Sequence, residues 1–139
     1  MNLPASPLTL EVIDLIGTMV SRFHDEYEAA AADHQLTGAQ ARLLALLSHG
    51  PLPMRRIAEQ LKCEPSNVTG LVDRLEVRGL AQRGPDPADR RVKLVAATDA
   101  GRRTADRLRS SLDFAREPLA ALGDQERATL RDLLRRILA

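Results

Sequence analysis

From Leu8 to about Asp33, the apolar residues Val12, Ile16, Met19, Phe23 and Tyr27 recur every three or four positions, which predicts one stripe of a long helix. Gly17 is its weak point, since a helix-interior glycine costs about 1 kcal/mol against alanine. Thr37-Gly38-Ala39-Gln40 then has the form of a capping box: a hydroxyl able to accept from an orphan amide, with Gln three residues on. The helix it opens, Ala39 to about Ser48, carries Leu43, Leu44, Leu46 and Leu47, apolar nearly all round and therefore expected to be buried. His49-Gly50-Pro51 breaks it. A short helix is predicted from Pro53 to about Leu61, burying Met54, Ile57, Ala58 and Leu61. Another starts at Glu64-Pro65, where proline's missing N–H had no partner to lose, and runs to about Arg78 with Gly79 as its stop. Its inward stripe is Val68, Leu71, Val72 and Leu75, which leaves Ser66, Asn67, Thr69, Gly70, Asp73 and Arg74 elsewhere on its surface.

The period then changes to two. Leu80–Arg83 and Val92–Val95 alternate as half-buried strands do, and the polar, turn-rich segment from Gly84 to Arg91 joins them into a β-hairpin with a charged tip. Thr98-Asp99 caps the next helix, whose Ala105, Leu108, Leu112, Ala115, Leu119 and Leu122 form a narrow seam suited to a partner helix, with a kink expected at Pro118. Gly123-Asp124 opens a last helix with Leu130, Leu133, Leu134, Ile137 and Leu138 on its apolar side. These outer stripes exceed what the small central module could cover, so a symmetric dimer is expected.

The chain of 139 residues suits one domain with a real core. A net charge of +1 says nothing about partners, but its distribution is informative. Arg55 to Lys93 carries a net +3 and the remainder −2, a weak pointer to a polyanion. The single cysteine, Cys63, excludes an intramolecular disulfide framework and suits a reducing compartment. No signal-peptide pattern and no membrane-length apolar run are present, so the expected location is the cytoplasm, away from membranes.

Three short helices followed by a hairpin are the ingredients of a winged helix-turn-helix, a mainly α fold with a small β-hairpin wing. Its second motif helix would enter the major groove of double-stranded DNA with its N-terminal residues at base edges. Ser66, Asn67 and Thr69 are small enough to approach closely, and an Asn amide can pair with adenine through both its groups. Arg90 and Arg91 at the hairpin tip suit the negative potential of a minor groove. Arg74 is a candidate phosphate clamp or salt-bridge partner. Arg55 and Arg56 are candidates for phosphate contact or a solvated face, and Thr37 joins the candidate DNA-contacting set.

These residues also carry a family resemblance. The stretch from Glu64 to Leu80 resembles the recognition helix of the MarR (multiple antibiotic resistance regulator) family. Asp86-Pro87-Ala88-Asp89-Arg90-Arg91, followed by Thr98-Asp99-Ala100-Gly101-Arg102, is similar to that family's wing and next helix. Ile57-Ala58-Glu59-Gln60-Leu61 and Thr37-Gly38-Ala39-Gln40 match its helix-turn-helix approach. The resemblance covers Leu8 to the C-terminus, its specific motifs about Thr37–Arg102. It implies one domain, 1–139, with residues 8–34 and 99–139 as dimerisation helices and 37–97 as the DNA-binding lobe. It implies binding to pseudo-palindromic operators, repression, and release by a small molecule or by oxidation; within it, one wing Arg contacts DNA while the other braces the wing Asp. Two positions depart from the pattern: Gly70 stands where a long side chain is common, and Ala97 where Leu usually precedes the threonine.

No Ser/His/Asp order, paired carboxylates, phosphate-binding Gly loop or clustered ligands point to an enzyme, so no catalytic, cofactor or metal residues are expected. A winged-helix protein-interaction module is the alternative from another class. Redox response through Cys63 lacks a second thiol, and His24, His34 and His49 form no local ligand pattern for metal response. Ile16, Met19, Phe23 and Tyr27 could wall a small-molecule effector pocket or serve simply as core. Arg102 and Arg103 oppose the dipole of their helix, with Asp99 and Asp106 near enough to compensate.

Overall fold

The computed structural model describes residues 4–112 and 118–139. Its elements are α1 (Pro7–Asp33), α2 (Gly38–Leu47), β1 (Leu52–Pro53), α3 (Met54–Leu61), α4 (Pro65–Val77), β2 (Ala81–Pro85), β3 (Lys93–Ala97), α5 (Asp99–Ser111), a 3-10 turn Leu119–Ala121 and α6 (Asp124–Leu138). They fall into two compact units: Tyr27–Ser111, and α1 up to Glu26 together with the chain from Leu112 onward.

All the buried apolar side chains of the described residues lie between Ala30 and Leu108, so the core belongs to the Tyr27–Ser111 unit. Leu43 and Leu44 of α2 are fully buried, as are Ile57 of α3, Val68, Val72 and Leu75 of α4, Val95 of β3 and, nearly so, Leu108 of α5. The α4 residues among them match the expected inward stripe, although Leu71 is only half-buried. Thr37 and Gln40 form the expected capping box: Gln40 N donates to Thr37 Oγ1 (3.2 Å) and Thr37 N to Gln40 Oε1 (3.1 Å). Glu28 of α1 adds a carboxylate at the same helix end, accepting from Gly38 N at 3.1 Å, where the dipole favours negative charge. Gly79, at φ 70, ends α4 as expected, with Leu80 N returning to Leu75 O at 2.9 Å.

The sheet has three antiparallel strands in the order β1-β3-β2. Arg83 and Leu52 flank Val95 from opposite sides, and Ala81 faces Ala97. β1 was not expected from the sequence, because two residues cannot display a period and Pro51 and Pro53 read as loop. At the far side, Thr98 Oγ1 donates to Gly79 O (2.6 Å) and accepts from Gly101 N (3.0 Å), tying the start of α5 to the end of α4. Gly101 is required there, since a Cβ would strike the backbone carbonyl of Leu80. Arg102 is held by Asp99 and by the Ala97 carbonyl (3.0 Å), the compensation expected at this helix start.

One expectation is corrected. The helix opening at Asp99 does not extend to the Leu119–Leu122 end of the anticipated seam: α5 stops at Ser111, and Leu119 lies in a 3-10 turn after Pro118. Proline has no N–H with which to continue a helical ladder. Ala115 lies outside the described residues.

In the other unit, the apolar side chains of α1 are largely solvent-facing: Leu8, Leu10, Val12, Ile13, Leu15, Ile16, Met19, Val20 and Phe23 are all exposed. On α6, Leu133, Leu134, Ile137 and Leu138 are exposed in the same way.

Candidate nucleic-acid interface

The turn between α3 and α4 places the candidate reading residues. Lys62 caps α3 in the left-handed region (φ 52), Cys63 N returns to Ala58 O at 3.1 Å, and Pro65 opens α4 at its first position. Ser66, Asn67 and Thr69 then stand exposed on the first turns of α4. The side chains of Ser66 and Asn67 have no hydrogen-bond partner among the described residues, so their polar groups are available to bases. Thr69 differs: its hydroxyl donates to Pro65 O at 3.2 Å and keeps only acceptor capacity for a ligand.

The arginines divide by what already holds them. Arg83 of β2 grips both acids of α4, with Nη1 on Glu76 and Nη2 on Asp73 Oδ1 (2.7 Å), while its backbone N donates to Glu76 Oε2 at 3.2 Å. One of the two negative charges that would repel a polyanion is thereby offset within the fold. Arg74, on the same helix, is exposed and without a partner among the described residues. With Arg42, Asn67, Leu71, Cys63, Leu61 and Ala39 it lines a cavity of about 270 Å³. Arg56 pairs with Glu59 (3.4 Å), whereas Arg55 is unpaired among the described residues. Arg55 shares a shallow cavity of about 230 Å³ with Pro53, Met54, Val92 and Lys93. Lys93 therefore belongs to the cationic set although sequence reasoning passed over it; its adjacency to α3 comes from the β1–β3 pairing.

At the hairpin tip, Asp86 N donates to Val92 O (2.9 Å) and Val92 N to Asp89 O (2.9 Å). Arg91 is tied to Asp89 by a fork, Nε to Oδ1 at 3.0 Å and Nη2 to Oδ2 at 3.1 Å. The guanidinium beside Asp89 holds its carboxyl below the ordinary aspartate range, and the same bond raises Arg91. Arg90 is exposed with no partner among the described residues. One strut and one free cation is thus the arrangement at the tip. Thr37 has its hydroxyl committed as an acceptor at the start of α2.

The four residues considered for an effector wall are not alike. Ile16, Met19 and Phe23 are exposed on α1, while Tyr27 is half-buried and donates to Ala41 O at 3.2 Å. Burial raises the Tyr27 phenol above its usual range, with Arg42 and Arg109 opposing. A separate open groove of about 900 Å³ runs along α1 beside Ile13, Gly17, Ser21, Asp25 and Glu26. Among the described residues, no three His, Cys, Asp or Glu side chains converge to hold a metal ion, and no helix is long and apolar enough to cross a membrane.

Known proteins share the sequence pattern and the fold. The sequence model of the MarR family matches residues 34–92. The HTH-type transcriptional repressor NicR of Pseudomonas putida is 28% identical over 144 aligned positions, covering 97% of this chain and 89% of NicR. CouR from Rhodococcus jostii RHA1, in a crystal structure bound to p-coumaroyl-CoA, superposes with a TM-score of 0.78 at 30% identity, over 96% of this chain and 95% of CouR. A structure of the repressor CouR bound to a 23-mer DNA duplex superposes at 0.75 with 28% identity, covering all of both chains.

Proposed function

Since the chain belongs to the MarR family of winged-helix transcription regulators, we propose that it is a repressor that binds a pseudo-palindromic operator as a homodimer and is released by a small organic effector. The observation that carries the DNA reading is the pattern of committed and uncommitted side chains. Among the described residues, Ser66 and Asn67 are without partners at the N-terminal end of α4, as are the cations Arg74 and Arg90, and Arg83 is shared by the acids Asp73 and Glu76. Ser66, Asn67 and Thr69 read base edges, Arg90 enters the minor groove, and Arg74, Arg55 and Lys93 meet phosphates.

The dimer reading rests on the exposed apolar side chains of α1 and α6. Large exposed apolar patches mark association surfaces, and a second copy covers these by the same patch. Two recognition helices about one DNA turn apart then match an inverted repeat. The effector part of the proposal draws support from CouR, which was crystallised with p-coumaroyl-CoA. In this reading Ile16, Met19, Phe23 and Tyr27 wall the effector site, and the effector shifts the population away from the DNA-binding state. In this reading the protein acts in the cytoplasm, on double-stranded DNA, and needs no cofactor or catalytic residue for the role.

The test is selection of bound duplexes from a random DNA pool at near-physiological salt. Recovery of an inverted repeat, with affinity that falls steeply as salt rises, supports the reading. A folded dimer that enriches no duplex in the presence or absence of candidate effectors overturns it and favours the interaction-module alternative.

A further inference from the structure

Arg78 makes a connection that neither the sequence pattern nor the DNA reading uses. It is the C-terminal cap residue of α4, yet its guanidinium reaches back more than forty positions to the end of α1. Nη1 donates to Gln35 O at 2.8 Å and Nη2 to His34 O at 3.1 Å. The carbonyls that end a helix have no intrahelical partner and form its negative pole. In α1, which ends at Asp33, the last-turn carbonyls of Ala31 and Ala32 accept from His34, Gln35 and Leu36 N, and the Arg78 guanidinium braces the two residues that follow, beside this negative pole, where α1 has no basic residue of its own. Gln35 stands at φ 60, an uncommon conformation for a residue other than glycine, and is one of the two acceptors of the fork.

Arg78 is free for this role because the α4 acids are occupied elsewhere: Arg83 holds both Asp73 and Glu76. Core packing of Val68, Val72 and Leu75 fixes which face of α4 is buried. It constrains the tilt of the helix less tightly, because apolar contacts are non-directional. Asn67 and Arg78 are eleven positions apart, which is about 16 Å of helix. A tilt of about 6° at the Arg78 end moves the Asn67 end by about 1.7 Å, more than the width of the hydrogen-bond distance window.

We propose that Arg78 is a positioning residue for base readout: by bracing the turn that leaves α1 it fixes the tilt of α4, and with it the place of Ser66 and Asn67 over the base edges. This rests on the DNA-binding reading above, so the experiment has one arm with DNA and one without. In the first, the native chain, Arg78→Ala and Arg78→Lys are compared on the selected operator and on a random duplex of equal length across a salt series. The operator-over-random ratio is expected to fall about tenfold in Arg78→Ala and by less in Arg78→Lys, which keeps the charge but not the fork. Random-duplex affinity and the salt slope stay as in the native chain.

In the second arm, residual dipolar couplings of backbone amides report the orientation of α4 against α2 without DNA, well below the melting temperature of each variant. A changed α4 orientation in Arg78→Ala is expected. An unchanged orientation overturns the proposal whatever happens with DNA. A salt slope reduced by about 0.9 in Arg78→Ala alone also overturns it, since that marks a phosphate contact. A native chain that reads no DNA, with α4 still reoriented in the variant, removes the readout role and locates the failure in the DNA reading.

Discussion

Arg83 and Glu76 meet twice where the wing joins the recognition helix: the Arg83 backbone N donates to one carboxylate oxygen at 3.2 Å, and its guanidinium pairs with the other. The remaining arm of the guanidinium reaches Asp73 at 2.7 Å, so one half-buried cation fixes the wing root to two turns of α4. Arg83→Ala is expected to cost about 1–2 kcal/mol, because charge-assisted hydrogen bonds are strong while the partial exposure of the pair discounts them. Thermal melts should show a fall of several degrees. In the proposed DNA-binding mode random-duplex affinity at low salt should fall as well, since Asp73 and Glu76 lose the one positive charge that offsets them. Arg83→Lys should recover much of the duplex affinity, since it keeps the charge, but little of the stability, for an ammonium cannot fork.

Asn67→Ala and Arg90→Ala should fail in different ways. The first is expected to lose about 1–3 kcal/mol on the operator and almost nothing on random DNA, as fits a bidentate base contact. The second should weaken both duplexes and lower the salt slope by about 0.9, as fits one phosphate or minor-groove cation. Equal loss on operator and random duplexes for Asn67→Ala would contradict its reading role.

The glycines of the two helices next to the wing should respond with opposite signs. Around Gly70 of α4 a new Cβ meets nothing within 4 Å, so Gly70→Ala should stabilise by about 1 kcal/mol through helix propensity. Gly101→Ala drives a methyl into the Leu80 carbonyl and should destabilise by about 2–3 kcal/mol. Denaturant melts of the two variants at one pH decide the matter.

The Asp89–Arg91 strut should resist acid. Because folding lowers the Asp89 pKa, its contribution is present above the ordinary aspartate range and is lost as pH falls through the lowered value. Carboxyl carbon NMR should show Asp89 titrating below the ordinary range in the native chain. In Arg91→Ala it should return to that range. An unchanged midpoint would show that the fork does not hold in solution.

Ile137→Glu tests the dimer. The residue is 67% exposed on α6, so a lone chain should tolerate the charge. A dimer that buries this face should not, because an unpaired buried charge is costly. Analytical ultracentrifugation should show a folded monomer; a dimer of native affinity would place the interface elsewhere.

Much of the fold could be read along the chain because its devices are local. The Thr37/Gln40 capping box, the Gly79 stop and the Val68/Val72/Leu75 stripe each lie within one helix length, and each formed where its residues predicted. β1 was invisible because a two-residue strand has no period; it exists only through its pairing with β3. The long seam after Asp99 was over-read because spacing continues through a proline while a hydrogen-bond ladder does not.

The sequence by itself determined the order of α1 to α6 and of the hairpin strands β2 and β3, and the polar residues exposed at the start of α4, since periodicity, caps and turn residues act within a few positions. Only the tertiary structure decided which arginines are already spent. Arg83 on Glu76 and Asp73, and Arg78 on the carbonyls of His34 and Gln35, are chosen by distances across 7 to 44 residues. No local pattern encodes such pairings, because a guanidinium binds whatever acceptor folding brings within reach. Arg55, Arg74 and Arg90 are the candidate cations without a partner among the described residues.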